Sequence, residues 1–133
     1  MAVFVRPAVW NYDLGLFRAA TGDEDRLEAM LAAIALKNQG LWVAESNQRP
    51  VAFAWTEIAG PNVRLLDLYI PPGEAAGELL DLLLKRLDEE FAGVCLRLEV
   101  SDDTIRGVGS GELLPAGFRR EGNLWTRMIE RPT

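Results

Sequence analysis

Few residues in this sequence could act as catalytic groups or metal ligands, and their types exclude several classes of site. The sequence contains no histidine, which excludes Ser-His-Asp and Cys-His catalysis and most transition-metal sites. Cys95 is the only cysteine and lies in an apolar, strand-like run, so a packing residue is favoured over a reactive thiol. The run Gly107-Val108-Gly109-Ser110-Gly111 could cradle a phosphate, but no acidic ribose partner follows at dinucleotide-fold spacing, and a flexible connection is favoured.

The composition is that of an ordinary globular protein. With 133 residues, of which 49% are hydrophobic, the chain is expected to form a single domain over residues 1–133. A net charge of −6 disfavours nucleic acid and is compatible with a cationic ligand such as an amine or a basic peptide. The longest apolar run, Ala29 to Leu36, is too short to span a membrane, and the first residues do not resemble a signal peptide. We therefore expect a cytoplasmic protein with no membrane partner, in which Trp10 is a candidate exposed contact for a partner or ligand.

The first half of the chain predicts a helix followed by a meander of strands. Thr21-Gly22-Asp23-Glu24 has the form of a capping box, and Gly40 is placed to end the helix that follows it. Runs near residues 41–45, 51–58 and 63–70 read as strands joined by short polar turns, so they form an antiparallel meander. The predicted apolar face of the helix consists of Leu27, Met30, Leu31 and Ile34.

The second half predicts a crossover and a final hairpin. A leucine-rich helix follows Pro71-Pro72-Gly73 and ends at Gly93, and Val94 to Val100 then reads as a strand. A strand, a helix and a strand in this order imply a parallel, right-handed connection. A helix from Asp102 to about Leu114, weakened by three glycines, and strands near residues 118–121 and 124–129 complete the pattern. The apolar stripe of the leucine-rich helix consists of Ala76, Leu79, Leu80, Leu83, Leu84 and Leu87.

Besides the order of the predicted elements, two local segments resemble a known protein family. Leu66–Pro72 is similar to the fourth strand, and its exit, in the GCN5-related N-acetyltransferase (GNAT) family, and Leu113–Gly122 is similar to that family's Gly-Phe corner. The resemblance covers nearly the whole chain. It implies an α+β fold with a mixed sheet of about six to seven strands, a three-strand antiparallel meander, a crossover helix to a parallel strand, and helices on both faces.

The resemblance also implies a function. A GNAT protein of the usual kind transfers an acetyl group from acetyl-CoA, or another acyl group from its acyl-CoA, to an amine-bearing small molecule or peptide, and needs no metal. Asp67 or Glu57 would then serve as the catalytic base. Backbone N–H groups on the fourth strand would face the thioester, and those at the start of the next helix would hold the pyrophosphate. The corresponding cofactor-binding positions are Tyr69, Ile70, Gly77, Glu78 and Leu79.

The sequence also departs from the family pattern at the cofactor turn. The family loop reads Arg/Gln-x-x-Gly-x-Gly/Ala, whereas alignment on Gly77 places Glu74 first and Leu79 last in this chain. The carboxylates of Glu74 and Glu78 would repel a phosphate bound at this turn. In addition, Leu113 occupies the position where the family often has a tyrosine. Taken alone, these departures slightly favour the alternative of a catalytically inactive GNAT-fold binding or regulatory protein, or a homodimer, whereas the fold itself favours the acyltransferase, so both hypotheses stay open. An unrelated α+β binding domain is the third hypothesis.

Overall fold

A mixed β-sheet with helices on both faces organises the molecule, whose computed structural model describes residues 3–130. The strands are β1 Val3–Pro7, β2 Gln39–Ser46, β3 Arg49–Ala59, β4 Asn62–Tyr69, β5 Arg97–Ser101, β6 Ile105–Arg106, β7 Arg119–Glu121 and β8 Leu124–Met128. The helices are α1 Trp10–Thr21, α2 Glu24–Ala33, α3 Ala76–Phe91 and α4 Ser110–Leu113. The strand order is β1-β2-β3-β4-β5-β8-β7, and β6 pairs with β4 outside this path.

The sheet confirms the predicted fold class. Strands β2, β3 and β4 form the antiparallel meander, α3 crosses over, and β5 pairs parallel to β4. The β2–β3 turn is tight because Asn47 and Gln48 both adopt positive φ values, 53° and 66°, which suit a two-residue hairpin. The predicted final hairpin is also present, with β7 antiparallel to β8 and β8 antiparallel to β5.

Two apolar clusters hold the helices against the two faces of the sheet. Helix α3 packs its leucine stripe on one face, and Leu80, Leu83 and Leu87 are fully buried there. Helices α1 and α2 cover the other face only over β2, β3 and β4, where Phe17 contacts Phe53 edge-on with ring centroids 5.0 Å apart. These aliphatic and aromatic contacts are the main source of the fold's stability.

The predicted capping box is wrong in its register. Asp23 caps α2 through its side chain, which accepts a hydrogen bond from the N–H of Asp25 at 2.9 Å. Thr21 is instead the last residue of α1, and its hydroxyl donates to the carbonyl of Phe17. Two helices meet here within three residues, so the cap belongs to the aspartate that directly precedes the second helix.

The predicted end of this helix is also wrong. Helix α2 ends at Ala33, and tight turns follow it. Its buried face is formed by Leu27, Met30 and Ala33, whereas Leu31 and Ile34 of the predicted apolar face are each 48% exposed. Gly40 lies inside β2, where a Cβ atom would approach the indole nitrogen of Trp42 to 3.0 Å. Packing in the sheet, and not the end of a helix, therefore explains this glycine.

Strand β5 begins later than the sequence predicts. Val94 and Leu96 precede β5 and are 65% and 53% exposed, although the backbone of Leu96 already donates to Pro61 and accepts from Ile129. Cys95 points inward between them, as a packing residue, and its burial raises the pKa of its thiol.

The predicted helix from Asp102 to Leu114 is replaced by irregular structure. A 3-10 turn, Asp102–Thr104, leads into the two-residue strand β6, and only Ser110–Leu113 is helical. Gly107 adopts a φ of 92°, which a helix does not allow.

Trp10 is not the exposed aromatic that the sequence suggested. It is half-buried, and its ring lies 5.6 Å from that of Phe17. In the part of the chain that the structure describes, no helix has the length and apolar character needed to cross a membrane.

Candidate functional site

The candidate site lies where β4 and β5 diverge. The two strands pair in parallel from Asn62 to Leu65 of β4 and then separate. At the same point β4 contains a bulge, because Trp55 and Thr56 of β3 face Asp67 and Leu65, which leaves Leu66 unpaired with β3. A bulge bends its strand and redirects the side chains beyond it, so it opens a cleft between β4 and β5.

Strand β6 of the same chain occupies this cleft. Ile105 and Arg106 pair in parallel with Leu68 and Tyr69 of β4. The backbone N–H of Ile70 donates to the carbonyl of Arg106 at 3.0 Å, so one of the two predicted thioester-facing groups already has a partner. The end of β4 is therefore paired on both sides, by β3 and by β6.

Gly107 allows β6 to lie directly against the end of β4. With its φ of 92°, a Cβ atom at this position would lie 1.6 Å from the carbonyl oxygen of Ile70. No side chain can occupy that space, so only glycine permits the contact. Neighbouring Val108 is buried in the core next to α3. The cleft is thus filled by backbone and by an apolar anchor.

A buried carboxylate and two arginines close the other side of the same cleft. Asp67 is fully buried on β4 and lies 3.1 Å from Nε of Arg26 on α2 and 3.5 Å from Nε of Arg106 on β6. Arg26 also donates to the carbonyl of Leu66, and Arg106 donates to the carbonyl of Ala20. We call Arg26, Asp67 and Arg106 the arginine clamp.

Within the clamp, the arginines surround the carboxylate but do not satisfy it completely. The Asp67 Oδ1 atom is buried without a hydrogen-bond partner, since its contact with Arg106 is an ion pair at 3.5 Å. Arg26 also lies over the ring of Trp55, with its guanidinium carbon 5.1 Å from the ring centroid. The clamp thereby joins α2, β3, β4 and β6. The predicted role of Asp67 as a base is untested, but here its carboxylate is committed to two cations.

Glu57, the other predicted base, lies on the same sheet face in different surroundings. It is half-buried, and its Oε2 accepts a hydrogen bond from the side-chain amide of Gln39 at 2.9 Å. The amide oxygen of Gln39 in turn accepts from the indole of Trp55 at 3.0 Å. Glu57 keeps partial access to solvent, which Asp67 does not, and the two predicted bases have different hydrogen-bond and ion-pair partners.

The start of α3 is the predicted phosphate-binding turn. Ala75 precedes the helix without a side-chain cap, and the N–H of Leu79 donates to its carbonyl at 2.9 Å, as in an ordinary helical turn. Gly77 has open space where a Cβ atom would be. Glu74 and Glu78 are both at this end of the helix, where they suit the helix dipole without a ligand.

The described residues also lack the tyrosine that the family often uses. Leu113, at the matching position, is 1% exposed and packs in the core. Tyr69 is half-buried against Phe53, with ring centroids 6.0 Å apart. The hydroxyl of Tyr12 donates to the carbonyl of Gln48, in the β2–β3 turn. Among residues 3–130, no group of three or more histidine, cysteine or acidic side chains is arranged to hold a metal ion.

Sequence reasoning missed Arg26 and Arg106 as members of the site. Arg26 lies in the first turn of α2 and Arg106 in a strand of two residues, so neither position carries a periodic signal. A weak indication was available for Arg106, which occupies a position where the family often has asparagine. Its contacts with β4 and α1 follow only from the tertiary structure.

Comparison with known proteins supports the fold. No protein-family model and no curated protein sequence matches the chain. Solved structures do match over nearly its whole length. An aminoglycoside 6'-acetyltransferase type Ii superposes with a TM-score of 0.72 and 14% identity, covering 98% of this chain and 99% of the other.

Two further structures contain the cofactor. The PaiA N-acetyltransferase from Thermoplasma acidophilum, in complex with coenzyme A, has a TM-score of 0.63 and 14% identity over 96% of this chain and 99% of its own. A GNAT family acetyltransferase from Elizabethkingia anophelis, with acetyl-CoA bound, has a TM-score of 0.64 and 13% identity over 96% and 98%. The chain has the GNAT fold, as the sequence predicted.

Proposed function

We propose that this chain is a catalytically inactive binding or regulatory protein built on the GNAT fold. The observation that supports this proposal is the position of Arg106. Its carbonyl accepts the N–H of Ile70, and its guanidinium pairs with Asp67 and donates to Ala20. One residue thereby occupies both the backbone edge of β4 and the carboxylate beside it, which are the groups that the resemblance assigns to an acyl-CoA and to a base.

The residues present do not fit an acyl-CoA in this state. The thioester would need the N–H groups at the end of β4, where Ile70 already donates to Arg106 of β6. At the start of α3, Glu74 and Glu78 stand beside the position of the pyrophosphate. Each carboxylate about 6 Å from a phosphate charge costs roughly 1–3 kcal/mol at an effective dielectric near 20, before screening by water. That cost corresponds to about ten- to a hundredfold in affinity.

A second candidate is the predicted acyl-CoA-dependent N-acyltransferase, which would acetylate an amine-bearing small molecule or peptide. The bulge at Leu66 and the open space at Gly77 favour it, because both leave room next to the divergence of β4 and β5. Solved neighbours with this fold hold coenzyme A or acetyl-CoA. This candidate requires the segment from residue 102 to residue 108 to leave β4.

One experiment separates the two candidates. The thermal midpoint is measured with and without millimolar acetyl-CoA, with a coenzyme A-binding acetyltransferase of the same fold as the positive control. A ligand at about 100 times its dissociation constant adds about 2.7 kcal/mol, which is roughly a 10 °C rise for a domain of this size. We expect no rise for this chain.

Hydrogen exchange at the amide of Ile70 is the second readout. We expect this amide to be protected both with and without acetyl-CoA, because its partner is the carbonyl of Arg106. A rise in the thermal midpoint, together with a change in the protection of this amide, would overturn the proposal and support the acyltransferase.

A further inference from the structure

One half of the sheet has a face that no helix covers. Helices α1 and α2 pack on β2, β3 and β4, whereas the same face of β5, β8 and β7 is open within the described residues. Arg97, Arg119 and Met128 are exposed there, and Met128 has 63% of its surface accessible. This open face lies next to Asn62, at the end of β4 opposite to the one that β6 closes.

A row of four charged side chains, interrupted by Thr126, crosses this face in register. Glu57 lies opposite Arg64, Arg64 opposite Glu99, Glu99 opposite Thr126, and Thr126 opposite Arg119. Arg64 therefore has a carboxylate on each neighbouring strand, and cross-strand pairs of this kind stabilise a sheet.

Arg97 and Arg119 differ from Arg64 in this respect. Arg97 lies opposite Asn62 and Met128, and Arg119 lies opposite Thr126, so their directly facing neighbours are uncharged. Neither forms an ion pair with any residue between 3 and 130. By contrast, carboxylates lie within ion-pair distance of Arg6, Arg18, Arg26, Arg106, Arg120 and Arg127. Two uncompensated cations on one face are notable in a chain of net charge −6.

These two arginines border one depression. Its volume is about 530 Å³, and Arg97, Arg119, Thr126 and Met128 line it together with Arg127, whose guanidinium is already paired with Asp88. Glu130, a carboxylate that also lines the depression, lies 3.7 Å from the guanidinium of Arg127, so it has a cation of its own. The depression therefore presents two free guanidinium groups on either side of a hydroxyl and an exposed thioether.

We propose that this surface, the arginine face formed by Arg97, Arg119, Thr126 and Met128, docks an acidic segment of a partner protein. Guanidinium groups bind carboxylates through paired N–H donors, and arginine and methionine are enriched in protein interfaces. The two arginines flank β8, so they would bind two carboxylates that lie on the same face of an extended segment. Met128 between them would contact an apolar side chain of the same segment. The inference does not depend on whether the acyl-CoA cleft opens.

The test uses the peptide acetyl-Glu-Glu-Leu-Glu-Glu-amide and the whole chain. NMR spectra of the arginine Nε–Hε groups and methionine methyl groups are followed during titration. We expect saturable shifts confined to Arg97, Arg119 and Met128. The same peptide with glutamine in place of every glutamate is expected to give none.

Substitutions complete the test. The double variant Arg97→Gln, Arg119→Gln should bind the peptide about tenfold more weakly, as expected for two exposed ion pairs. Arg49→Gln is the matched control, because Arg49 is exposed and lies in neither the depression nor an ion pair. Equal weakening by Arg49→Gln, or shifts spread over all arginines, would refute the proposal. Inorganic phosphate is titrated in parallel, and saturable shifts with phosphate but none with the peptide would also refute it.

Discussion

Replacing Asp67 by asparagine distinguishes a structural role for this residue from a catalytic one. The Asp67→Asn substitution keeps the shape of the side chain and removes its charge, leaving Arg26 and Arg106 without a counterion. Asp67 is fully buried, and the two arginine side chains are 30% and 33% exposed. Breaking a buried ion pair costs about 3–5 kcal/mol. Because both guanidinium groups keep some contact with water, we expect the free energy of unfolding to fall by about 2–3 kcal/mol.

The assay is equilibrium unfolding in urea, supported by the thermal midpoint. A loss of about 2–3 kcal/mol corresponds to a drop of roughly 8–15 °C for a domain of this length. The matched control is Asp103→Asn, which removes an exposed carboxylate and should change the stability by less than about 0.5 kcal/mol. Combining Asp67→Asn with Arg106→Gln should cost less than the sum of the single changes, because the two residues share an ion pair.

The opposite result is equally clear. The free energy of unfolding of Asp67→Asn could lie within about 0.5 kcal/mol of that of the unmodified protein. The arginine clamp would then not stabilise the fold, contrary to the argument from the burial of Asp67. If the substitution also abolishes an acetyl-transfer activity that the unmodified protein possesses, Asp67 is a catalytic base. The structural reasoning would then be refuted.

Three other contacts can be tested in the same way. Arg127→Gln should lower the free energy of unfolding, measured in urea, by about 3 kcal/mol. The substitution leaves the carboxylate of Asp88 without its cation in a nearly buried site. A loss below about 1 kcal/mol would contradict this expectation. Gly107→Ala should lower the thermal midpoint by several degrees, because its Cβ atom would collide with a carbonyl oxygen at the end of β4. Gly109→Ala is the control and should leave the midpoint unchanged, since a Cβ atom there meets open space. Equal effects of the two substitutions would refute the close contact. Cys95 should react with iodoacetamide at pH 8 about tenfold more slowly in the folded protein than in urea, as measured by mass spectrometry. Burial limits access to the thiol and raises its pKa, so less thiolate is available to react. Equal rates would refute the burial of Cys95.

Local periodicity predicted the elements that pack through a single continuous face. The stripe of α3 is buried as predicted because leucines spaced three and four residues apart must share one side of a helix. The same rule chose two wrong members on α2. Its buried face runs through Leu27, Met30 and Ala33, so Leu31 and Ile34 lie to one side of it.

Glycines were harder to interpret than leucines. Gly40 and Gly107 have similar sequence surroundings to glycines that end helices or form flexible loops. In the structure, Gly40 makes room for Trp42 within β2, and Gly107 allows backbone to touch backbone across the cleft. Both requirements come from how the folded sheet packs, so no local pattern could indicate them.

The sequence by itself determined the order and type of most elements, and hence the fold class, because hydrophobic spacing and turn residues act over a few positions. It also placed Glu74 and Glu78 at the turn that the resemblance assigns to the pyrophosphate. Only the tertiary structure decided whether the cleft is open. That outcome depends on Asp67 meeting Arg26, 41 residues away, and Arg106 on a third element. These residues meet only when folding packs α2, β4 and β6 together. Their attraction depends on burial, which the unfolded chain does not provide.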